Sequence, residues 1–192
     1  MNVIFDLGKV LINYDFEIFY RAIKCKNKSL SITEAELPVL SFDAGKLSRH
    51  EFYLEMKELF DFDVEQEAFE HAWKNVFFAM DDMLELSRKI AHDHKVFILS
   101  NTDEIHFPHI WQEFPQLHHF GDNLMLSYEL KCVKPDVEIF KLALAKFELN
   151  PEDCIIIDDK YENIEAARKF GMSAIWHQSF DLSKQKLSNF LT

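Results

Sequence analysis

Two short apolar runs, Val3-Ile4-Phe5 and Ile155-Ile156-Ile157, each lead into an aspartate, and a third, Val96-Phe97-Ile98-Leu99, leads into Ser100. Runs this short and this apolar read as strands buried on both faces, because a strand with one wet face alternates apolar with polar residues. The strands fall at residues 2–7, 95–99, 124–127, 154–157 and 173–176, with helical spacing near 82–91, 104–114, 135–147 and 162–170. Strands that alternate with helices of this length imply parallel βαβ units joined by right-handed crossovers. The expected fold class is α/β, a doubly wound parallel sheet of Rossmann-like form. Ligands of such sheets gather beyond the carboxyl ends of the strands, where Asp6, Ser100 and Asp158 converge.

Residues 15–79 break this rhythm and read as helical throughout, an insertion between two parts of one core, 1–14 and 80–192. Thr33-Glu34-Ala35-Glu36 and Ser48-Arg49-His50-Glu51 have the form of capping boxes, which start helices by satisfying orphan backbone N–H groups. Ala68, Phe69, Ala72, Trp73, Val76 and Phe77 recur at helical spacing and read as one packed face. The Asp43-Ala44-Gly45-Lys46 turn and Arg49 also lie in this insertion, where a solvated turn is at least as good a reading as a substrate contact. Gly8 permits a tight turn after the first strand, and Gly171 is a natural helix stop.

Composition narrows the partners. A net charge of −12 argues against nucleic acid, whose binding depends on Lys and Arg contacts that release counterions. No apolar run approaches the roughly 20 residues of a membrane span, and no leader pattern opens the chain, so the expected location is the cytoplasm. Cys25, Cys132 and Cys154 are odd in number and lack metal-like spacing, as suits reduced thiols. His106, His109, His118 and His119 invite a zinc site, but their spacing is irregular and no cysteine is near.

Chemistry follows from what the strand ends carry. A carboxylate such as Asp6 can attack phosphorus to form an aspartyl-phosphate, splitting one hard hydrolysis into two displacements. Two anions then meet, so the site needs a cation and fixed positive groups. Asp158 and Asp159 offer hard oxygen ligands of the kind Mg²⁺ accepts, and Lys134 offers a compact charge to the phosphate. Ser100, Asn101 and the backbone amides of the Leu7-Gly8 turn can donate to phosphate oxygens. Asp15 is a candidate helper for the attacking water.

With Phe5-Asp6-Leu7-Gly8-Lys9-Val10-Leu11-Ile12, Ser100-Asn101-Thr102, Lys134-Pro135-Asp136 and Ile157-Asp158-Asp159 in this order, the chain resembles the haloacid dehalogenase-like (HAD) hydrolase superfamily. The wording is most similar to the subgroup that holds alpha-D-glucose-1-phosphate phosphatase. The resemblance implies a Mg²⁺-dependent phosphatase of a small phosphorylated metabolite, with a small helical cap. It also implies Asp6 and Lys134 as catalytic groups, Ser100, Asn101 and Lys134 on the phosphate, and Asp6, the Gly8 carbonyl, Asp158 and Asp159 on the metal. Asn163 matches a position that steadies that metal site.

Most phosphatases of the superfamily carry a general acid where this chain has Gly8, and losing such a group removes on the order of 10²–10⁴ in rate. Two other readings therefore stand beside the phosphatase: a phosphate-ligand-binding or regulatory protein with weak catalysis, and a 2-haloacid dehalogenase, which needs a lone nucleophilic Asp and no metal.

Overall fold

The computed structural model describes residues 1–26 and 36–191. Its strands are β1 (Asn2–Phe5), β2 (Ile12–Tyr14), β3 (Phe77–Ala79), β4 (Lys95–Ser100), β5 (Leu124–Leu126), β6 (Cys154–Asp158) and β7 (Ser173–Trp176). Five of them form one parallel sheet in the order β5-β4-β1-β6-β7, with Ile4 opposite Phe97 on one side and Ile156 on the other. Because side chains alternate across a strand, Val3 and Phe5 enter one apolar cluster and Ile4 another.

Helices cover both faces. Met83 and Leu84 of α5 (Asp81–Ile90), Phe107 and Ile110 of α6 (His106–Glu113) and Leu187 of α10 (Phe180–Ser188) pack with Val3 and Phe5. Ile139 and Phe140 of α8 (Val137–Lys146) and Ile164 and Ala167 of α9 (Tyr161–Lys169) pack with Ile4. This is the doubly wound α/β sheet that the apolar runs imply. From β1 the chain later fills β4 and β5 on one side and β6 and β7 on the other, so the strand order reverses at β1, where a ligand crevice opens.

Between β2 and β3 stand α1 (Phe16–Ala22), α2 (Glu36–Asp43), α3 (Arg49–Phe60) and α4 (Gln66–Lys74). They build a separate aromatic cluster in which Phe19, Phe52 and Phe69 all surround Trp73. Burying each such ring contributes about 1.5–3 kcal/mol. The capping box at Ser48 is present: Glu51 N–H donates to Ser48 Oγ at 3.3 Å, and Ser48 N–H donates to Glu51 Oε2 at 2.8 Å. Thr33, Glu34 and Ala35 of the other start signal lie outside the described residues.

Several local expectations change. The first strand stops at Phe5 rather than residue 7, because the Leu7 carbonyl turns to accept from the Leu11 and Ile12 N–H groups. The left-handed residue of that turn is Lys9, at φ 58°, and not Gly8. Val76 and Phe77 do not continue a helical face, since α4 ends at Lys74 and Phe77 enters a two-stranded antiparallel ribbon with β2. Ala68 is exposed, whereas Phe69, Ala72 and Trp73 are buried. Helix α10 is an element beyond those expected, with Ser183 and Leu187 buried. Gly171 does end α9, at φ 98°. No helix among the described residues is long and apolar enough to cross a membrane.

Candidate active site

Each neighbour of β1 delivers one group to the same end of the sheet. Asp6 follows β1, Asp158 closes β6, Ser100 closes β4, and Lys134 arrives on the loop before α8. Lys134 Nζ lies 2.9 Å from Asp6 Oδ1, 2.6 Å from Asp158 Oδ2 and 2.9 Å from the Leu99 carbonyl. Those three acceptors match its three protons. Burial alone would depress the Lys134 ammonium, but the flanking Asp158 and Asp6 carboxylates overcome that and raise it, so the lysine stays charged.

Asp158 is fully buried and accepts four hydrogen bonds: Oδ1 from Lys160 N–H and Asn163 Nδ2, and Oδ2 from Lys134 and Asn163 Nδ2. Asn163 is thus fixed by Asp158, while its own Oδ1, also buried, is without a partner among the described residues. Asp6 Oδ1 accepts the Leu7 N–H at 2.7 Å and faces Lys134, while Oδ2 bonds no described residue. The Leu7 amide is therefore committed to Asp6 and is not open to a phosphate in this arrangement.

Ligand oxygens of Asp6, Asp158 and Asp159 lie within 4.8 Å of one another. Burial raises the Asp6 carboxyl to about 7, with Lys134 opposing and Asp158 and Asp159 adding to the rise. Asp159 is raised too, by burial and then by Asp158. Three crowded carboxylates with one lysine, and an orphaned Asn163 oxygen beside them, are a donor set that fits a hard divalent cation.

A cavity of about 370 Å³ opens over these groups and is lined by Asp6, Gly8, Asn101, Lys134, Asp159 and Asn163 from the sheet side, and by Val39, Leu40, Asp43 and Trp73 from the helical insertion. Ser100 is not on its wall; its hydroxyl turns to the Asn101 carbonyl at 3.2 Å. The Asn101 side chain braces the next loop, donating to the Lys134 carbonyl at 2.9 Å and accepting the Lys134 N–H at 2.8 Å. Asp15 is exposed and caps α1 by accepting the Glu17 N–H, away from the cavity lining. The histidines do not gather: His118 binds the Trp111 carbonyl, and the metal-like cluster found among the described residues is the aspartate one.

Three groups that sequence reading left aside also shape this cavity. Tyr14 lines it beside Gly8. Asp43 lines it from the end of α2. His106 lines it with both ring nitrogens engaged, Nδ1 at 2.9 Å from Asp103 Oδ2 and Nε2 at 2.9 Å from the Trp73 carbonyl. A carbonyl and a carboxylate both accept, so both nitrogens carry protons. Burial works against that charge, yet the Asp103 carboxylate prevails and His106 is raised. The Asp43 turn and His106 stand out in the sequence, but nothing there says which side chains turn inward.

The sequence profile of the haloacid dehalogenase-like hydrolases matches residues 1–171. This chain belongs to that family. Among relatives of the hydrolase, a D-ribitol-5-phosphate phosphatase of Bacteroides thetaiotaomicron is 25% identical over 205 residues, covering 99% of this chain and 98% of the relative. A 6-phosphogluconate phosphatase of Escherichia coli is 27% identical over 79 residues, 41% of this chain and 36% of the relative. The crystal structure of a HAD family enzyme from Bacteroides thetaiotaomicron, in complex with magnesium and inorganic phosphate, matches at a TM-score of 0.77. It is 27% identical and covers 92% of this chain and 93% of that one. L-2-haloacid dehalogenase from Xanthobacter autotrophicus, at TM-score 0.64 and 15% identity over 98% of this chain and 82% of that one, shares the fold.

Proposed function

We propose that this HAD-like hydrolase is a Mg²⁺-dependent phosphatase of a small phosphomonoester, with residues 15–79 serving as a cap over the site. The observation that carries the reading is the meeting of Asp6, Asp158, Asp159 and Lys134 in one cavity. A dehalogenase needs one carboxylate here, and the second and third would only repel an anionic substrate. The magnesium and phosphate of the Bacteroides structure, and the phosphatase activities of the relatives, support the same direction.

In this reading Asp6 Oδ2, the oxygen left unbonded, attacks phosphorus in line with the leaving oxygen. The P–O bond to the leaving group breaks, and an aspartyl-phosphate forms on Asp6. Water then attacks that phosphorus and releases inorganic phosphate and free Asp6. Lys134 holds Asp6 by Oδ1 and offsets charge as the two anions approach. Asp6, Asp158, Asp159 and the Gly8 carbonyl would hold Mg²⁺, with Asn163 steadying Asp158; the ion supplies Lewis-acid neutralisation of the phosphoryl oxygens.

The test is release of inorganic phosphate from sugar phosphates, polyol phosphates, nucleotides and an aryl phosphate, with Mg²⁺ or chelator. Expected is metal-dependent release that Asp6→Asn abolishes. Tight phosphate binding by the folded wild type, with no release from any ester, would replace the enzyme with a binding protein.

A further inference from the structure

Breaking a bond to a sugar oxygen needs a proton donor, and Gly8 supplies none. The usual place is crowded by Tyr14. A Cβ on Gly8 would stand 3.2 Å from Tyr14 Cε1, so a side chain there presses on the tyrosine ring, which must give by a few tenths of an ångström. The donor must come from another wall of the cavity.

Resting on the phosphatase reading, we infer that Asp43, delivered from the helical insertion at the end of α2, is the acid and base of this reaction. Val39, Leu40 and Asp43 turn one face of α2 into the cavity that holds Asp6. The turn that carries Asp43 is fixed to the sheet side. Ser127 Oγ donates to the Asp43 carbonyl at 2.6 Å, and Lys131 Nζ donates to the Gly45 carbonyl at 3.1 Å. Gly45 holds φ 60°, and a Cβ there would collide with Lys131 Nζ and the Tyr128 carbonyl at 2.5 Å, so the chain is seated closely. The Asp43 carboxyl bonds no described residue, and Asp43 lines the cavity.

Two other proton carriers on the cavity wall, His106 and Lys134, are spoken for. His106 has both nitrogens bonded and Lys134 has three acceptors. Tyr14 is pushed up to about 12 by burial and by Asp159, Asp6 and Asp43, a weak acid near neutrality. Burial, reinforced by Asp103 and opposed by His106 and Lys160, raises Asp43 to about 8, so it carries a proton at neutral pH and gives it up readily.

The step balances. As Asp6 attacks, the electron pair of the breaking P–O bond goes to the leaving oxygen, which takes the Asp43 proton and departs as an alcohol. Asp43, now a carboxylate, takes a proton from the water that attacks the aspartyl-phosphate, and the electron pair of that P–O bond returns to Asp6. Asp43 ends protonated for the next cycle.

Leaving-group dependence tests this. An aryl phosphate leaves as a stabilised phenolate and needs no acid, whereas a sugar phosphate does. In Asp43→Asn, kcat/KM for sugar phosphates falls about 10²-fold or more, and that for the aryl ester falls less than about threefold. Phenol release also becomes a burst equal to the enzyme present, because water attack has lost its base and aspartyl-phosphate accumulates. A merely structural role produces neither the split nor the burst. Asp43→Ser gives a second variant with the same expectations if the amide disturbs folding. Equal loss on both esters, or no loss on sugar phosphates, overturns the inference. A leaving-group split in Tyr14→Phe instead would move the donor to the phenol and overturn it as well. Wild type that releases no phosphate from any ester overturns the phosphatase reading itself, a result distinct from failure of the Asp43 variants.

Discussion

The Tyr14 ring stands where a side chain on Gly8 would go, 3.2 Å from an added Cβ. One residue bears on another: β2 folds Tyr14 back over the turn after β1, and a residue larger than glycine presses on the ring. Gly8→Asp is expected to cost about 1–2 kcal/mol in stability and to bring no gain in rate. Combined with Tyr14→Ala, the double variant should be more stable than the sum of the single losses by about 1 kcal/mol. Urea unfolding of the four proteins checks this; strict additivity would show that the ring yields freely.

Lys134 is buried between Asp6 and Asp158. Lys134→Met removes the charge that lets two carboxylates coexist, so about 3–5 kcal/mol of stability should be lost at pH 8. Much of it should return at pH 5, where Asp6 can take a proton. Phosphate release should vanish at both. Equal destabilisation at the two pH values would show that carboxylate repulsion is not the source of the loss.

The sheet was legible because its signal is strong and local: Val3-Ile4-Phe5 and Ile155-Ile156-Ile157 are too apolar to be anything but buried strands, and each ends on an aspartate. Asp6 and Asp158 come together because β1 and β6 pair as parallel neighbours, whereas Lys134 reaches them from a loop. What escaped is what depends on contacts distant in sequence. Phe77 alternates with nothing nearby, and its strand exists because β2 pairs with it across 62 intervening residues, 15–76. Asp43 sits in a turn that looks solvated until Ser127 is seen to seat it against the sheet side. Asn101 lines the cavity, and the bonds by which its amide braces the Lys134 backbone join residues 33 apart in the chain.

Asp103 and His106 fasten the insertion to the sheet: Trp73 Nε1 donates to Asp103 Oδ2 at 3.0 Å, and the His106 ring stacks on Trp73 at 4.6 Å. His106 is raised above its ordinary 6.5, so its protonated form stabilises the fold fully below that pH and the contribution drains away as pH rises through the folded value. Asp103 is held below its ordinary 3.8, with burial outweighed by His106, so its share is present above 3.8 and lost only in stronger acid. The pair helps most between those two values. His106→Gln should lose about 3–5 kcal/mol at pH 6 and less at pH 9, read as melting temperature against pH.

Binding of Mg²⁺ to the native state alone should stabilise it, by about 2.7 kcal/mol at a hundredfold excess over Kd. Thermal melting with MgCl₂, then with chelator, reads this without any substrate. Asp159→Ala should abolish the rise, because it removes one of the three clustered oxygens. A full Mg²⁺ shift in that variant would remove Asp159 from the metal site.

If Asp43 donates the proton, the free enzyme must hold it, and kcat/KM for a sugar phosphate must fall as pH passes about 8, the value to which burial and Asp103 raise this carboxyl. The limb should approach tenfold per pH unit. His106, at the start of α6, and Lys160, just before α9, oppose the rise, and Tyr14 of β2 faces the same group. Lys160→Met should therefore shift the limb upward, because a cation that favours the carboxylate is gone. Asp43→Asn should flatten it, and an aryl phosphate should not show it in wild type. The same limb on both esters would mean that it belongs to another group, such as Asp6 losing its own proton, and not to the donor.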